Sequence, residues 1–124
     1  MITILHNPRC SKSREALVLT QQFATEQGLA LEVRDYQKTP LTLAQLIVLQ
    51  KQLNLCARDM LRDNEAEYAA LNLAQADEAT LLQALADHPA LLQRPVVIFN
   101  GRALIARPPE RLSALLQTAQ DRNL

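Results

Sequence analysis

Ile2-Thr3-Ile4-Leu5-His6-Asn7-Pro8-Arg9-Cys10-Ser11-Lys12-Ser13-Arg14 is the stretch from which the rest of the chain is read. Ile2 to Leu5 is a short β-prone run, and His6-Asn7-Pro8 stops it, because proline and asparagine favour a turn over continued strand pairing. From Ser11 onward Ala16, Leu19 and Phe23 recur at helical spacing, with Ser11 or Ser13 available as the N-cap and Gly28 as the terminator. Strand, loop and helix follow in that order, and Cys10 stands where the strand hands over to the helix.

Working outward, Leu31 to Tyr36 alternates apolar and charged residues and predicts a second strand parallel to the first, which makes the opening a βαβ unit. After Thr39-Pro40 the pattern is helical for about fifty residues, roughly 41–93, with Thr42 and Asp77 as caps and Pro89 as a break. Arg94-Pro95 then introduces Val96-Val97-Ile98-Phe99. Asn100-Gly101 is a strong hairpin signal leading into Ala103-Leu104-Ile105-Ala106, so two antiparallel strands are expected. Pro108-Pro109-Glu110 opens a last helix whose Leu112, Leu115, Leu116 and Ala119 form one stripe. The order βαβ, helical insert, ββα predicts a single α/β domain over residues 1–124. Its mixed sheet is compatible with a thioredoxin-like core carrying an all-helical insertion.

Composition narrows the function classes. Thirteen basic and thirteen acidic side chains balance, so no overall field draws in nucleic acid or an anionic membrane, and any anion site must be local. Aromatic residues are 3% with no tryptophan, which removes the stacking platform of single-strand nucleic-acid binders. No stretch approaches the roughly 20 consecutive apolar residues of a membrane span, and Met1 to His6 lacks the features of a secretory signal. A cytoplasmic protein is expected, a monomer by default. The two cysteines, Cys10 and Cys56, have no spacing that suits zinc, so no metal is expected, and a structural disulfide does not fit a reducing compartment. Cys56 falls in phase with Leu46, Leu49, Leu53 and Met60, which predicts core packing if the helical pattern runs through.

Cys10 is the residue with chemical promise. At a strand-to-helix handover it sits beside unpaired backbone N–H groups, which favour negative charge, and Arg9, Lys12 and Arg14 add cations. Such surroundings can lower a cysteine pKa from about 8.5 into the range of roughly 3.5 to 7.5, and the thiolate is the reactive form. The same amides can hold a tetrahedral oxyanion against the sulfur. The bland alternative is a small buried residue, but an inert thiol has no need of a basic, capped loop. Ser13 stands where a local dithiol motif would place its second cysteine, so no local disulfide can close and reducing equivalents must come from elsewhere. His6 either orients the loop, tunes the thiolate, or simply caps the strand end.

His6-Asn7-Pro8-x-Cys10-Ser11-x-Ser13-Arg14 resembles the active-site segment of the glutaredoxin-dependent arsenate reductase family. Met60-Leu61-Arg62, Tyr68-Ala69-Ala70-Leu71-Asn72-Leu73, Arg94-Pro95-Val96-Val97 and Ala106-Arg107-Pro108-Pro109-Glu110 are similar to its later motifs in the same order, across nearly the whole chain. Better-known members have glycine where Ser11 stands, and this chain reads closer to a related branch with serine there. The resemblance implies a thioredoxin-like fold, a cis bond before Pro95, and Cys10 as the residue that attacks arsenate. Arg62, Arg94 and Arg107 are implied to hold the oxyanion, with Ser11, Ser13 and Arg14 completing the substrate contacts. Arginine suits that role because its planar fork of donors matches an oxyanion and never loses its charge.

The implied reaction is reduction of arsenate to arsenite through a Cys10 adduct, with glutathione as reductant, glutaredoxin clearing the mixed disulfide, and no bound cofactor. Two other readings stand beside it. A glutathione-linked thiol oxidoreductase of the same fold would use the arginines for a carboxylate, and oxyanion competition separates the two. A redox-responsive, polymerase-binding regulator is disfavoured by Ser13 in place of a second cysteine.

Overall fold

The computed structural model describes residues 1–106 and 111–112. The chain groups into two compact units, one formed by Met1–Tyr36 with the chain from Arg94 onward, the other by Gln37–Gln93.

The first unit is built on a four-stranded mixed sheet: β1 (Ile2–His6), β2 (Leu31–Asp35), β3 (Val96–Phe99) and β4 (Arg102–Ile105), in the order β2-β1-β3-β4. β1 pairs in parallel with β2, from Ile2 opposite Leu31 to His6 opposite Asp35, and antiparallel with β3, where Ile4 faces Val97. The parallel pair needs a crossover, supplied by helix α1 (Ser11–Gln27), which ends at Gly28 with φ +64° in the left-handed region. β3 and β4 form a hairpin in which Asn100 and Gly101 both have positive φ, as a two-residue type I′ turn requires. This is the mixed thioredoxin-like sheet expected from the order of elements. The last helix, expected from Pro108, lies outside the described residues apart from Arg111 and Leu112, of which Leu112 is buried.

β1 is a central strand, so its side chains are buried on both faces. Ile2 and Ile4 share a face with Val97 and Phe99, and Ala16, Ala24, Ala106 and Leu112 complete that cluster. Each fully buried Ile or Phe contributes about 1.5 to 3 kcal/mol of transfer free energy. Phe23 meets Phe99 edge to face at 5.9 Å. The buried face of α1 corrects the sequence reading: Ser13, Ala16, Thr20 and Ala24 face inward, while Leu19 is 40% exposed. Small side chains let the helix lie close to the sheet, and the Thr20 hydroxyl is satisfied by donating to the Ala16 carbonyl at 2.7 Å.

The second unit is helical but not one continuous run. α2 (Leu43–Leu53) starts at a capping box in which the Thr42 hydroxyl accepts from the Gln45 N–H and the Gln45 side chain accepts from the Thr42 N–H. It stops at Asn54, whose φ of 56° is left-handed. A 3-10 turn at Ala57–Met60, the short α3 (Ala66–Ala70), another 3-10 turn at Leu73–Gln75, α4 (Glu78–Asp87) capped by Asp77, and a 3-10 turn at Pro89–Leu91 follow. Leu46, Leu49 and Leu53 of α2 and Leu81, Leu82 and Leu85 of α4 are its buried leucines on the two long helices. Arg58 ties the irregular stretch together by donating to the Tyr68 hydroxyl and to the carbonyls of Leu73 and Ala76.

The break at Asn54 overturns the core assignment of Cys56. The helical phase is lost there, and Cys56 is exposed at the start of the 3-10 turn. No helix among the described residues is long and apolar enough to cross a membrane.

Candidate active site

The loop between β1 and α1 is fixed by its own hydrogen bonds. The Cys10 N–H donates to the Asn7 carbonyl at 3.0 Å, the Arg9 N–H donates to the Asn7 side-chain oxygen at 3.0 Å, and the Arg14 guanidinium donates to the Pro8 carbonyl at 2.9 Å. Beneath them the buried Ser13 hydroxyl accepts from the Asn7 N–H at 3.0 Å and lies 2.7 Å from His6 Nδ1. Asparagine, proline and a serine three residues into a helix are what such a turn uses. The arrangement gives the open roles of His6 a physical content: it contacts Ser13, and Ser13 holds the loop.

Cys10 is itself the N-cap residue of α1, a place the sequence reading gave to Ser11 or Ser13. Ser13 is unavailable as a cap because its hydroxyl is turned back to Asn7 and His6. The thiol is partly buried. Burial pushes its pKa up, but the Ser13 N–H, the Arg94 guanidinium and the Lys12 N–H favour the thiolate and hold it below the ordinary thiol value. His6 is lowered as well, chiefly by burial, with Arg14 acting in the same direction and Asp35 opposing. A neutral imidazole beside Ser13 follows.

Arg94 precedes Pro95 across a cis bond at the start of β3. Burial works against its charge, yet the influence of Cys10 and Tyr36 outweighs that and favours the charged guanidinium. Its Nε is buried and has no hydrogen-bond partner among the described residues. A donor left in that state beside a thiolate is suited to an added oxyanion.

Of the residues singled out in the sequence, Cys10, Ser13, Arg14 and Arg94 come together around this loop, and Ser11 is the exposed first residue of α1. The Arg14 side chain is occupied in stapling the loop. Arg62 belongs to the Gln37–Gln93 unit. Its backbone is held by an isolated bridge between Leu61 and Leu92, with its N–H donating to the Leu91 carbonyl at 2.7 Å. Its side chain is 11% exposed, with Nε 3.2 Å from a Glu65 carboxylate oxygen and Nη1 buried without a hydrogen-bond partner among the described residues. Arg107 lies outside the described residues. Among the described residues no three His, Cys, Asp or Glu side chains group as metal ligands. Sequence reasoning missed Tyr36, which it treated only as the end of a strand.

Comparison with known proteins gives consistent results. The ArsC family profile matches residues 5–115. An arsenate reductase of Neisseria meningitidis serogroup A is 47% identical over 118 residues, covering 93% of this chain and 97% of its own length. An uncharacterised protein of Escherichia coli K12, YfgD, is 46% identical over 114 residues, covering 90% and 92%. Among solved structures, an arsenate reductase from Vibrio cholerae superposes with a TM-score of 0.82 at 41% identity, covering 91% of this chain and 95% of that one.

Proposed function

The chain belongs to the ArsC family, and from that membership we infer that it is an arsenate reductase, an oxidoreductase acting on an oxyanion, with Cys10 as its nucleophile. The observation that carries this reading is the place of Cys10 as the N-cap residue of α1, where the Ser13 and Lys12 N–H groups and the Arg94 guanidinium favour its thiolate.

In the proposed reaction the Cys10 thiolate attacks arsenic(V), and an arsenate oxygen leaves as water after protonation, giving a sulfur–arsenic bond. Arg94 stabilises the negative oxygens of the adduct. Glutathione then brings the second thiol: its sulfur bonds to that of Cys10, the sulfur–arsenic bond breaks, and the electron pair stays on arsenic, which leaves as arsenite. Two thiol sulfurs are oxidised to a mixed disulfide while arsenic gains two electrons, so the step balances without a bound cofactor. Glutaredoxin with further glutathione returns Cys10 to the thiol. Arg62 and Arg107 are assigned to the oxyanion by resemblance to the family. Ser11 and Ser13 contribute backbone donors to the cradle, and Arg14 keeps the cradle in shape. A monomer working in the reducing cytoplasm suits a reaction fed by glutathione.

The test is consumption of reducing equivalents in the presence of arsenate, glutathione and glutaredoxin. Cys10→Ser should lose at least about a thousandfold in rate, the scale on which loss of a covalent nucleophile is felt. A Cys10→Ser protein as fast as the parent would refute the reading.

A further inference from the structure

Arg62 carries a positive charge into the Gln37–Gln93 unit with its side chain only 11% exposed. The place of its backbone is set without help from that side chain. Leu61 bridges Leu92, the Arg62 N–H donates to the Leu91 carbonyl at 2.7 Å, the Gln93 N–H donates to the Met60 carbonyl at 2.8 Å, and the Gln93 side chain donates to the Leu61 carbonyl at 2.9 Å. A guanidinium so deeply buried costs free energy unless an opposite charge faces it. Glu65 supplies one, with a carboxylate oxygen 3.2 Å from Arg62 Nε. Glu65 is the N-cap residue of α3, yet its side chain makes no capping hydrogen bond, and the carboxylate is turned back to Arg62 instead. The pair is one of charge more than of hydrogen bonds: Arg62 Nε and Nη1 are both buried with no hydrogen-bond partner among the described residues.

We propose that Glu65 is the resting counter-ion of Arg62 and sets how tightly this guanidinium takes an oxyanion: its carboxylate balances the buried charge while the oxyanion is absent and competes with it when it arrives. The proposal rests on the oxyanion role given to Arg62 above. An acceptor that served to position Arg62 would align with an N–H and occupy it, whereas Glu65 leaves Nε and Nη1 without a hydrogen bond and the backbone already fixes the residue. The donors stay available while the charge is compensated. A tetrahedral oxyanion entering beside Arg62 meets the carboxylate as a like charge, which weakens its binding. That competition has a use in the proposed reaction. Arsenate is an anion at neutral pH and arsenite a neutral acid, so once the electrons have reached arsenic, Glu65 is the anion left to compensate Arg62.

The experiment measures arsenate binding by titration calorimetry without glutathione, on the full chain carrying Cys10→Ser so that only non-covalent binding is read. Into this background go Glu65→Gln, Glu65→Asp, Arg62→Met, and Arg62→Met together with Glu65→Gln. Glu65→Gln should lower the Kd for arsenate about fivefold, the scale of a partly exposed charge pair. Its melting temperature in arsenate-free buffer should fall, and should gain more from added arsenate than that of the background chain. Glu65→Asp guards against a variant that does not fold: aspartate is a strong N-cap, so its shorter carboxylate accepts from α3 and leaves Arg62, and the Kd should fall here too. Arg62→Met should raise the Kd, and adding Glu65→Gln to it should change the Kd less than about twofold, since the carboxylate acts on the guanidinium. A Kd unchanged or raised in Glu65→Gln, or in Glu65→Asp if Glu65→Gln does not fold, overturns the proposal. So does a lack of measurable binding in these variants, or an equal fall in Kd when Arg62 is already Met. If Arg62→Met leaves the Kd unaltered, Arg62 is no oxyanion ligand and the proposal falls with that assignment. If the binding arms come out as expected and the chain with Cys10 intact fails to reduce arsenate, the proposed reaction alone falls.

Discussion

The two cysteines occupy the same local position and have opposite chemistry. Cys10 is the N-cap of α1, and Cys56 is the N-cap of the 3-10 turn at Ala57–Met60. The Cys10 thiol is held low by backbone N–H groups and Arg94 in spite of its burial. Cys56, fully exposed, is raised: its thiol donates to the Asp59 carboxylate at 3.2 Å, the Asp59 charge opposes a thiolate, and Glu78 adds to the effect. A helical N-terminus is therefore not enough to make a reactive cysteine. What decides is the next charge, a guanidinium brought in from the start of β3 in one case and a carboxylate three residues along the chain in the other.

The contrast can be broken most severely at Arg94. Arg94→Ala should lower kcat/KM for arsenate about a hundredfold, the loss expected for one oxyanion donor, and should raise the Cys10 pKa. Arg94→Lys should recover part of the charge effect on Cys10 but little of the turnover, because lysine lacks the planar fork. Steady-state kinetics alongside thiolate absorbance would separate the two consequences.

At Cys56 the change runs the other way. Asp59→Asn removes both the acceptor and the charge that keep the thiol protonated, so Cys56 alkylation near pH 8 should speed up about threefold, matching a fall of about half a unit in pKa. An unaltered rate would show that Asp59 is not what restrains Cys56.

The smallest effect is on stability. A thiol whose pKa is lower folded than unfolded stabilises the fold fully above the unfolded value of about 8.5, and this contribution is lost as pH falls through the folded value. The melting temperature of the parent relative to Cys10→Ser should thus climb as pH is raised from about 6 towards 8.5 and level off beyond it. A flat difference across that window would mean that the Cys10 pKa is not lowered by folding.

Much of the fold was legible because its signals are local. Pro8 after a β-prone run, Gly28 after a helical one, Asn100-Gly101 between two apolar runs, and Thr42 and Asp77 ahead of helices each act within a few residues of themselves, and each is where the structure uses it. Misreadings came where a distant partner decides. Leu19 lost its inward place to Thr20 because the sheet admits small side chains on that helix face. Cys56 stayed in phase with the leucines of α2 on paper, but Asn54 turned the backbone left-handed and ended the phase. Ser13 looked like a cap, and the loop it supports claimed its hydroxyl. At the site, Cys10 and its helix could be read directly, whereas the approach of Arg94 to Cys10 at the end of β1 depends on strand order and register, which no local pattern encodes.

The most direct measurement is the pH dependence of alkylation at the two cysteines of the unmodified protein, resolved by mass spectrometry of the labelled peptides. The account predicts that Cys10 labels with a midpoint clearly below the ordinary free-thiol value of about 8.5, and Cys56 with one above it. If the two label together, or Cys56 labels at the lower pH, Cys10 is not an activated thiol and the assignment of the active site is wrong.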